Sequence, residues 1–301
     1  MKVFAVVVTY NRLELLKKAL SALKRQTRPL DEILVVNNGC TDGTAGWLGE
    51  QTGVTVITQE NIGGSGGFWR GMKEAYGRGA DYIWCMDDDV HPYDDCLERL
   101  LNAMPDGGGV VAPMRLYGGK ETVTGGECKH FNLSNPFMSL KRDATLDDIC
   151  RCDAVMDVEA IAFEGPMFSR NVVDSVGLPE KGLFIFWDDT EYSYRAFSRG
   201  FTVRYVKAAR LYKEDLRPKG LSSAVRRSWK YPYMVRNEAF FVCRYGASAW
   251  FKAVYVARLF FRYVFGIIRH IFMRDSKYTL DDIGIVVRSI KDGCLGKLIK
   301  Y

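Results

Sequence analysis

The chain has 301 residues, 48% of them hydrophobic and 26% charged, so it is long and apolar enough to bury a full core in one large domain with an appendage. No run of eighteen uncharged apolar residues occurs, which argues against a spanning helix. Net charge is +6, with the stretch from Arg204 onward rich in Lys and Arg, which points to nucleic acid, an anionic membrane surface or an acidic substrate.

Val3 to Thr9 is apolar, and Thr9-Tyr10-Asn11-Arg12 follows without a small-residue cleavage site, so the segment reads as a buried first strand rather than a signal core. Leu13, Leu16, Ala19, Leu20 and Leu23 recur at helical spacing. A second strand, Glu32 to Asn37, runs into the turn Asn38-Gly39-Cys40-Thr41-Asp42-Gly43, and a third covers Val54 to Thr58. Gly63-Gly64-Ser65-Gly66-Gly67 then opens a helix expected over about Phe68 to Tyr76, which carries Arg70. Glycine there frees backbone N–H groups for a ligand, or simply makes a turn; the Gly-Lys-Ser/Thr ending of a Walker loop is missing.

The fourth strand, Tyr82 to Met86, ends in Asp87-Asp88-Asp89. Three adjacent carboxylates repel one another unless a cation offsets them, and hard oxygens at a strand end suit Mg²⁺ or Mn²⁺. In an extended segment Asp87 and Asp89 share one side and Asp88 takes the other. An acidic loop capping the next helix is the plainer reading. Strands alternating with helices imply parallel βαβ units, whose ligands bind beyond the carboxyl ends of the strands. Thr9, Asn37, Asn38, Asn61 and the three aspartates all fall at those ends.

Residues from about Gly118 to Asp157 lack periodicity and read as a long connection or small subdomain. Order returns at Ala160 to Phe168. Leu183-Phe184-Ile185-Phe186-Trp187 then ends in Asp188-Asp189-Thr190-Glu191, with a helix expected to follow. One acid suits a helix cap; the second, beside an indole, suits a general base. The eight cysteines are scattered, only Cys150 and Cys152 are close, and no second pair completes a zinc site; reduced thiols in a cytoplasmic protein are expected.

Taken together, Val7-Val8-Thr9-Tyr10-Asn11-Arg12, Asn37-Asn38-Gly39-Cys40-Thr41-Asp42-Gly43, Asn61-Ile62-Gly63-Gly64-Ser65-Gly66-Gly67-Phe68, Met86-Asp87-Asp88-Asp89-Val90, Phe186-Trp187-Asp188-Asp189-Thr190-Glu191-Tyr192 and Tyr231-Pro-Tyr233-Met-Val-Arg236-Asn237 resemble an inverting family-2 glycosyltransferase over roughly residues 1 to 240. Galactofuranosyltransferases look most alike, with rhamnosyltransferases close behind. The resemblance implies an α/β GT-A fold, a Rossmann-like mixed sheet flanked by helices, over 1–216, and a basic helical region over 217–301. It implies a nucleotide-diphosphate sugar donor, UDP-galactofuranose or dTDP-rhamnose, and a hydroxyl acceptor on a glycan or lipid-linked glycan in cell-surface polysaccharide assembly. Carried over residue by residue, Thr9, Asn37 and Asn38 would face base and ribose. Asn61, Gly63, Gly64, Arg70 and Asp88 would line the nucleotide, and Asp87 and Asp89 would hold Mn²⁺ or Mg²⁺. Asp189 would be the base, with Glu191 as the alternative, and Trp187, Asp188 and Glu191 would meet the acceptor.

One departure is Lys213, which stands where metal-binding members place a histidine; as an ammonium it cannot ligate a metal but can contact a diphosphate. His91 could be recruited instead, or be a solvated residue at a helix start. From Trp250 to Met273, Arg258, Arg262 and Arg269 fall within about 40° of one another on a helix whose body is aromatic. With Arg226, Arg227, Lys230 and Arg236 nearby, this suggests a peripheral location on the inner face of the cytoplasmic membrane. A noncatalytic nucleotide- or nucleic-acid-binding module explains the charge but not the acids, which repel phosphate without a metal. A sugar nucleotidyltransferase would need its glycine turn right after the first strand. No nucleic-acid partner is therefore expected.

Overall fold

Val3–Thr9 carries no charge and every residue of it is buried, forming β1 in the computed structural model. Its residues alternate between two cores: Phe4, Val6 and Val8 pack on one face, and Val3, Ala5 and Val7 on the other. Both faces are covered, as a parallel strand requires. The structure describes residues 1–117, 120–121, 127–214, 229–272 and 278–301.

Two compact units divide the chain. The first holds residues 1–130, 143–181 and 188–216, and the second 131–142, 182–187 and 217–301. The expected boundary at 216 lies outside the described residues, as do Arg226 and Arg227. Two earlier segments also join the second unit.

The remaining strands are β2 (Glu32–Asn37), β3 (Thr55–Thr58), β4 (Tyr82–Asp87), β5 (Val90–Pro92), β6 (Gly109–Tyr117), β7 (Lys120–Glu121), β8 (Cys128–Phe131), β9 (Lys141–Asp143), β10 (Val155–Asp157), β11 (Met167–Ser169) and β12 (Thr202–Lys213). Among the described residues, ten of the twelve strands form one sheet in the order β10-β12-β6-β11-β4-β1-β2-β3, with β5 on β12 and β7 on β6. β3, β2, β1 and β4 are parallel, β11 runs antiparallel between β4 and β6, and β6 and β12 are parallel. The sheet is therefore mixed, and β11, from the ordered segment after the irregular middle of the sequence, is the strand that inverts it.

The helices of the first unit are α1 (Leu13–Lys24), α2 (Thr44–Gly49), α3 (Gly63–Gly77), α4 (Cys96–Ala103), α5 (Leu146–Arg151), α6 (Arg170–Val176) and α7 (Asp188–Phe197). α3 starts five residues earlier than expected, with the glycine cluster inside its first turns. Packing explains why: a Cβ on Gly67 would lie 2.5 Å from Val8 Cγ1, and one on Gly71 would collide with Val6. These glycines are contact points that let α3 lie close to β1, at an intrinsic helix cost of about 1 kcal/mol each. Gly71→Ala should therefore destabilise the fold by about 2 kcal/mol through overpacking. A urea midpoint equal to that of the parent chain would contradict this.

The second unit contains α8 (Tyr231–Tyr245), α9 (Ala249–Phe272) and α10 (Leu280–Cys294). α8 is its inner helix, burying Tyr233, Val235, Phe241 and Val242 along with the polar Arg236 and Asn237. α10 approaches α8 at Gly293, where a side chain would strike the Arg236 backbone. Among the described residues, no helix is long and apolar enough to cross a membrane.

Candidate active site

Three parallel strands end at one rim, because Thr9 registers with Asn37 and Val8 with Asp87. Thr9, Asn37 and Asn38 are buried there. Thr9 Oγ1 donates to Asp88 Oδ2 at 2.8 Å, and Asn37 Oδ1 accepts from the Cys40 backbone N–H at 3.0 Å. Asn38 Nδ2 donates to the Gly63 carbonyl at 3.0 Å and to Asn61 Oδ1 at 3.3 Å, while its Oδ1 accepts from Gln59 Nε2 at 2.9 Å. Asn61 Oδ1 also accepts from the Gly63 N–H at 2.9 Å. Buried side-chain groups must find such partners. These bonds lock the rim and hold the strand ends to the start of α3, at the place where Thr9, Asn37 and Asn38 are expected to face base and ribose. Gly64 opens to free space in that first turn, and Arg70 is exposed further along α3.

The triple aspartate is arranged differently from an extended strand. β4 stops at Asp87, and the chain turns at Asp88 and Asp89, so side-chain alternation ends there. Arg12 Nη1 consequently reaches both Asp88 Oδ1 at 3.1 Å and Asp89 Oδ2 at 3.2 Å. Lys213 Nζ sits 3.3 Å from Asp89 Oδ1 and 2.5 Å from Glu164 Oε1. Arg115 bridges Glu164 to Glu127. A chain of alternating charge thus runs Asp88, Arg12, Asp89, Lys213, Glu164, Arg115, Glu127. Burial would raise the Glu164 pKa, but Arg115 and Lys213 outweigh it and hold the carboxyl below its usual range. Asp87 is the exception: its carboxylate makes no hydrogen bond to the described residues, and burial together with Asp89 pushes its pKa well up against the pull of Lys213.

Lys213 is only 12% exposed, so removing it strands Asp89 and Glu164 in low dielectric. Lys213→Met should cost about 3 kcal/mol of stability at pH 7. The Glu164 part of that cost should fade below about pH 4.5, since a carboxyl with a depressed folded pKa gives up its stabilisation on protonation. Urea titrations at both pH values check it.

Hard oxygens at Asp87 and Asp89 fit the chemistry of Mg²⁺ or Mn²⁺. Among the described residues no set of three or more His, Cys, Asp or Glu converges to hold an ion alone. A cation here would take Asp87, share Asp89 with Arg12 and Lys213, and need further oxygens from its ligand. His91 belongs to β5, pairs with Tyr212 of β12 and stacks on its ring at 5.9 Å, so it is a half-buried strand residue and not a solvated helix start.

The second acidic cluster opens α7, near the positive end of the helix dipole. Burial and the neighbouring Asp189 push the Asp188 carboxyl up to about 7, with the Ser65 hydroxyl of α3 acting the other way. Asp189 Oδ1 accepts from the Thr190 N–H at 2.6 Å and from Thr190 Oγ1 at 3.1 Å. Burial still raises the Asp189 pKa, and Glu164 adds to it while Arg115 opposes. Glu164 therefore feels both acidic clusters. Glu191 is corrected: it is fully buried and pairs with Arg195 at 3.1 Å inside the unit, which removes it from an acceptor surface and from the role of base.

In the second unit, the segment just before Asp188 is conformationally unusual. Phe184, Phe186 and Trp187 have φ of 67°, 64° and 66°, a region costly for aromatic residues. Asn237 Nδ2 donates to the carbonyls of Leu183, Ile185 and Phe186 at 2.8–2.9 Å, and Arg236 Nη2 to those of Gly182 and Leu183 at 2.9 Å. The Arg-Asn pair of the late motif thus fixes this loop. Trp187 packs on Phe241 with ring centroids 5.0 Å apart.

Sequence reasoning missed Arg115 and Glu164. The signal for Arg115 was available, since a lone arginine inside the apolar run Gly109–Tyr117 needs a buried partner.

The sequence pattern described as glycosyl transferase family 2 matches residues 4–162. The chain is 32% identical over 212 residues to the galactofuranosyltransferase GlfT1 of Mycobacterium tuberculosis (strain ATCC 25618 / H37Rv), a match covering 66% of this chain and 65% of that protein. It is 33% identical over 125 residues to an undecaprenyl-phosphate mannosyltransferase of Micrococcus luteus, covering 40% of this chain and 51% of that one. A crystal structure of GalNAc-T7 with UDP, GalNAc and Mn²⁺ superposes with a TM-score of 0.60 over 80% of this chain and 47% of that chain, at 14% identity. That likeness, with the mixed sheet flanked by helices, gives the chain a GT-A fold.

Proposed function

The chain belongs to glycosyl transferase family 2, and we propose that it transfers a sugar from a nucleotide-diphosphate donor to a hydroxyl of a glycan or lipid-linked glycan with inversion. The observation that carries this reading is the pairing, in one unit, of two acidic clusters with different electrostatics. Asp88 and Asp89 are balanced by Arg12 and Lys213, whereas Asp189 keeps one carboxylate oxygen without a hydrogen bond to any described residue.

The first cluster suits the leaving group. Arg12 and Lys213 place two fixed positive charges where a departing diphosphate gathers negative charge. A divalent cation, Mn²⁺ or Mg²⁺, held by Asp87 and Asp89 would neutralise that diphosphate further when bound. The open first turn of α3 at Gly64 offers backbone N–H groups to the same oxygens. Asp189 is the general base, taking the acceptor proton as its oxygen attacks the anomeric carbon in a single displacement. Burial raises its pKa, which strengthens it as a base toward an alcohol. Asp188 would orient the acceptor.

Similarity to galactofuranosyltransferases supports UDP-galactofuranose as the donor, with dTDP-rhamnose the alternative; the basic, aromatic α9 supports a place at the inner membrane face. Incubation with each donor and a short galactan or rhamnosyl glycolipid, followed by mass spectrometry, tests the assignment. A product heavier by one hexose from UDP-galactofuranose is expected. Transfer of rhamnose alone would move the donor, and no transfer from either would overturn the reading.

A further inference from the structure

A helix packed on a core normally shows solvent its polar side chains. α9 does the reverse. Phe251, Tyr255, Leu259 and Ile267 fill its buried face, yet Phe261, Phe265 and Phe272 remain 53%, 65% and 81% exposed. At 100° per residue these three rings fall within about 40° of one another. Arg258 and Arg269, both exposed, follow on one flank of the ring stripe, about 20° to 40° beyond it. Arg262, further round, is held by Glu238 at 2.7 and 2.9 Å, so Arg258 and Arg269 are the outward cations. The helix carries Lys252 and three arginines and not one acid. Phe137 and Met138, 66% and 61% exposed, extend the apolar surface: Phe137 lies under Arg258 at 5.8 Å and meets exposed Trp250 edge-on at 6.1 Å.

Exposed rings beside an arginine row match a helix lying in a headgroup layer, with rings at the acyl boundary and guanidinium groups raised to phosphates. The charge rules out the other orientations. α9 is not apolar enough to span. A two-fold contact with a second copy would set Arg258 and Arg269 against their own like charges. We infer that the Phe261–Phe265–Phe272 face of α9 is a docking surface for an anionic lipid bilayer. This deepens the membrane location within the proposed function, on which it rests, and names the contact.

The test is flotation of the full chain with vesicles of phosphatidylcholine alone and of phosphatidylcholine with phosphatidylglycerol. The parent chain should float with the anionic vesicles, and less so as salt rises. The F261S/F265S/F272S variant should lose binding by roughly tenfold or more, and R258Q/R269Q should lose the preference for anionic lipid. Both should keep the parent circular dichroism spectrum, since these side chains face outward. Absence of flotation by the parent, or equal flotation by the triple variant, would overturn the inference. So would a dimer of the parent that the triple variant abolishes. Transfer to a short water-soluble acceptor is measured alongside: retained transfer with lost flotation supports the surface, whereas failure of transfer in every form falsifies the enzymatic reading and leaves flotation to be judged by itself.

Discussion

Asp189→Asn should lower sugar transfer by about 10²- to 10⁴-fold while leaving nucleotide affinity unchanged. The amide is nearly isosteric and can still accept the bond from the Thr190 N–H that seats Asp189 Oδ1 at the start of α7. It cannot accept a proton. Among the described residues, no hydrogen bond from Asp189 reaches the acids at the end of β4, so the donor side of the site should be intact. Asp189 and Asp188 also differ in kind: Asp189 is half-buried with one oxygen uncommitted, and Asp188 is buried. A fall in kcat with Asp189→Asn, against a rise in acceptor KM alone with Asp188→Asn, would fix the base. Equal losses would assign the proton to the pair. An Asp189→Asn enzyme of parent activity would remove Asp189 from the chemistry.

Asp188→Asn should make the protein more stable at pH 8, and the gain should vanish near pH 4. Folding raises the Asp188 pKa from 3.8 to about 7, through burial and then through Asp189. A carboxyl with a raised folded pKa favours the folded state when protonated, so its ionisation costs stability as pH climbs from about 3.8 through about 7. Asparagine never ionises. The gain is then at most about 4 kcal/mol above pH 7, at about 1.4 kcal/mol for each tenfold change in proton affinity. Urea unfolding of both chains at pH 4 and pH 8 measures it, and an equal gain at both pH values would show that packing is responsible. Glu164 has the opposite sign, since its pKa is held down and its stabilisation is lost in acid. Asp188 and Glu164 thus respond oppositely to pH, because burial dominates at the first and Arg115 with Lys213 at the second.

Periodicity made the first four strands and the first helix legible, because Val3–Thr9 and Glu32–Asn37 are apolar runs and Leu13 to Leu23 keeps helical spacing. It also led from the two acidic clusters and the aromatic run to the family. Glycine obscured the start of α3: local propensity reads Gly63 to Gly67 as a turn, whereas the approach to Val6 and Val8 that favours helix there is a tertiary contact. The antiparallel strand β11 spans only Met167–Ser169, too short to show a period. In the site, residue types announced the acids but not their counter-ions. Arg115 and Glu164 are 49 positions apart, and Lys213 and Asp89 are 124 apart, so only the fold brings them together. Arg12 stood within a quoted motif, but its double contact depends on the turn at Asp88 and Asp89. The hold of Asn237 on the backbone of residues 182–187 is likewise a product of tertiary structure, between segments about fifty residues apart.

In the proposed function, the end of β4 binds the diphosphate of a nucleotide sugar with the help of a divalent cation. Calorimetric titration of UDP and of dTDP, each with and without Mn²⁺, tests it most directly, with the Asp87→Ala/Asp89→Ala variant alongside. UDP binding that Mn²⁺ strengthens in the parent chain, and no longer strengthens in the variant, is the expected result. Folded protein that binds neither nucleotide, or a variant whose Mn²⁺ response equals that of the parent, would contradict it.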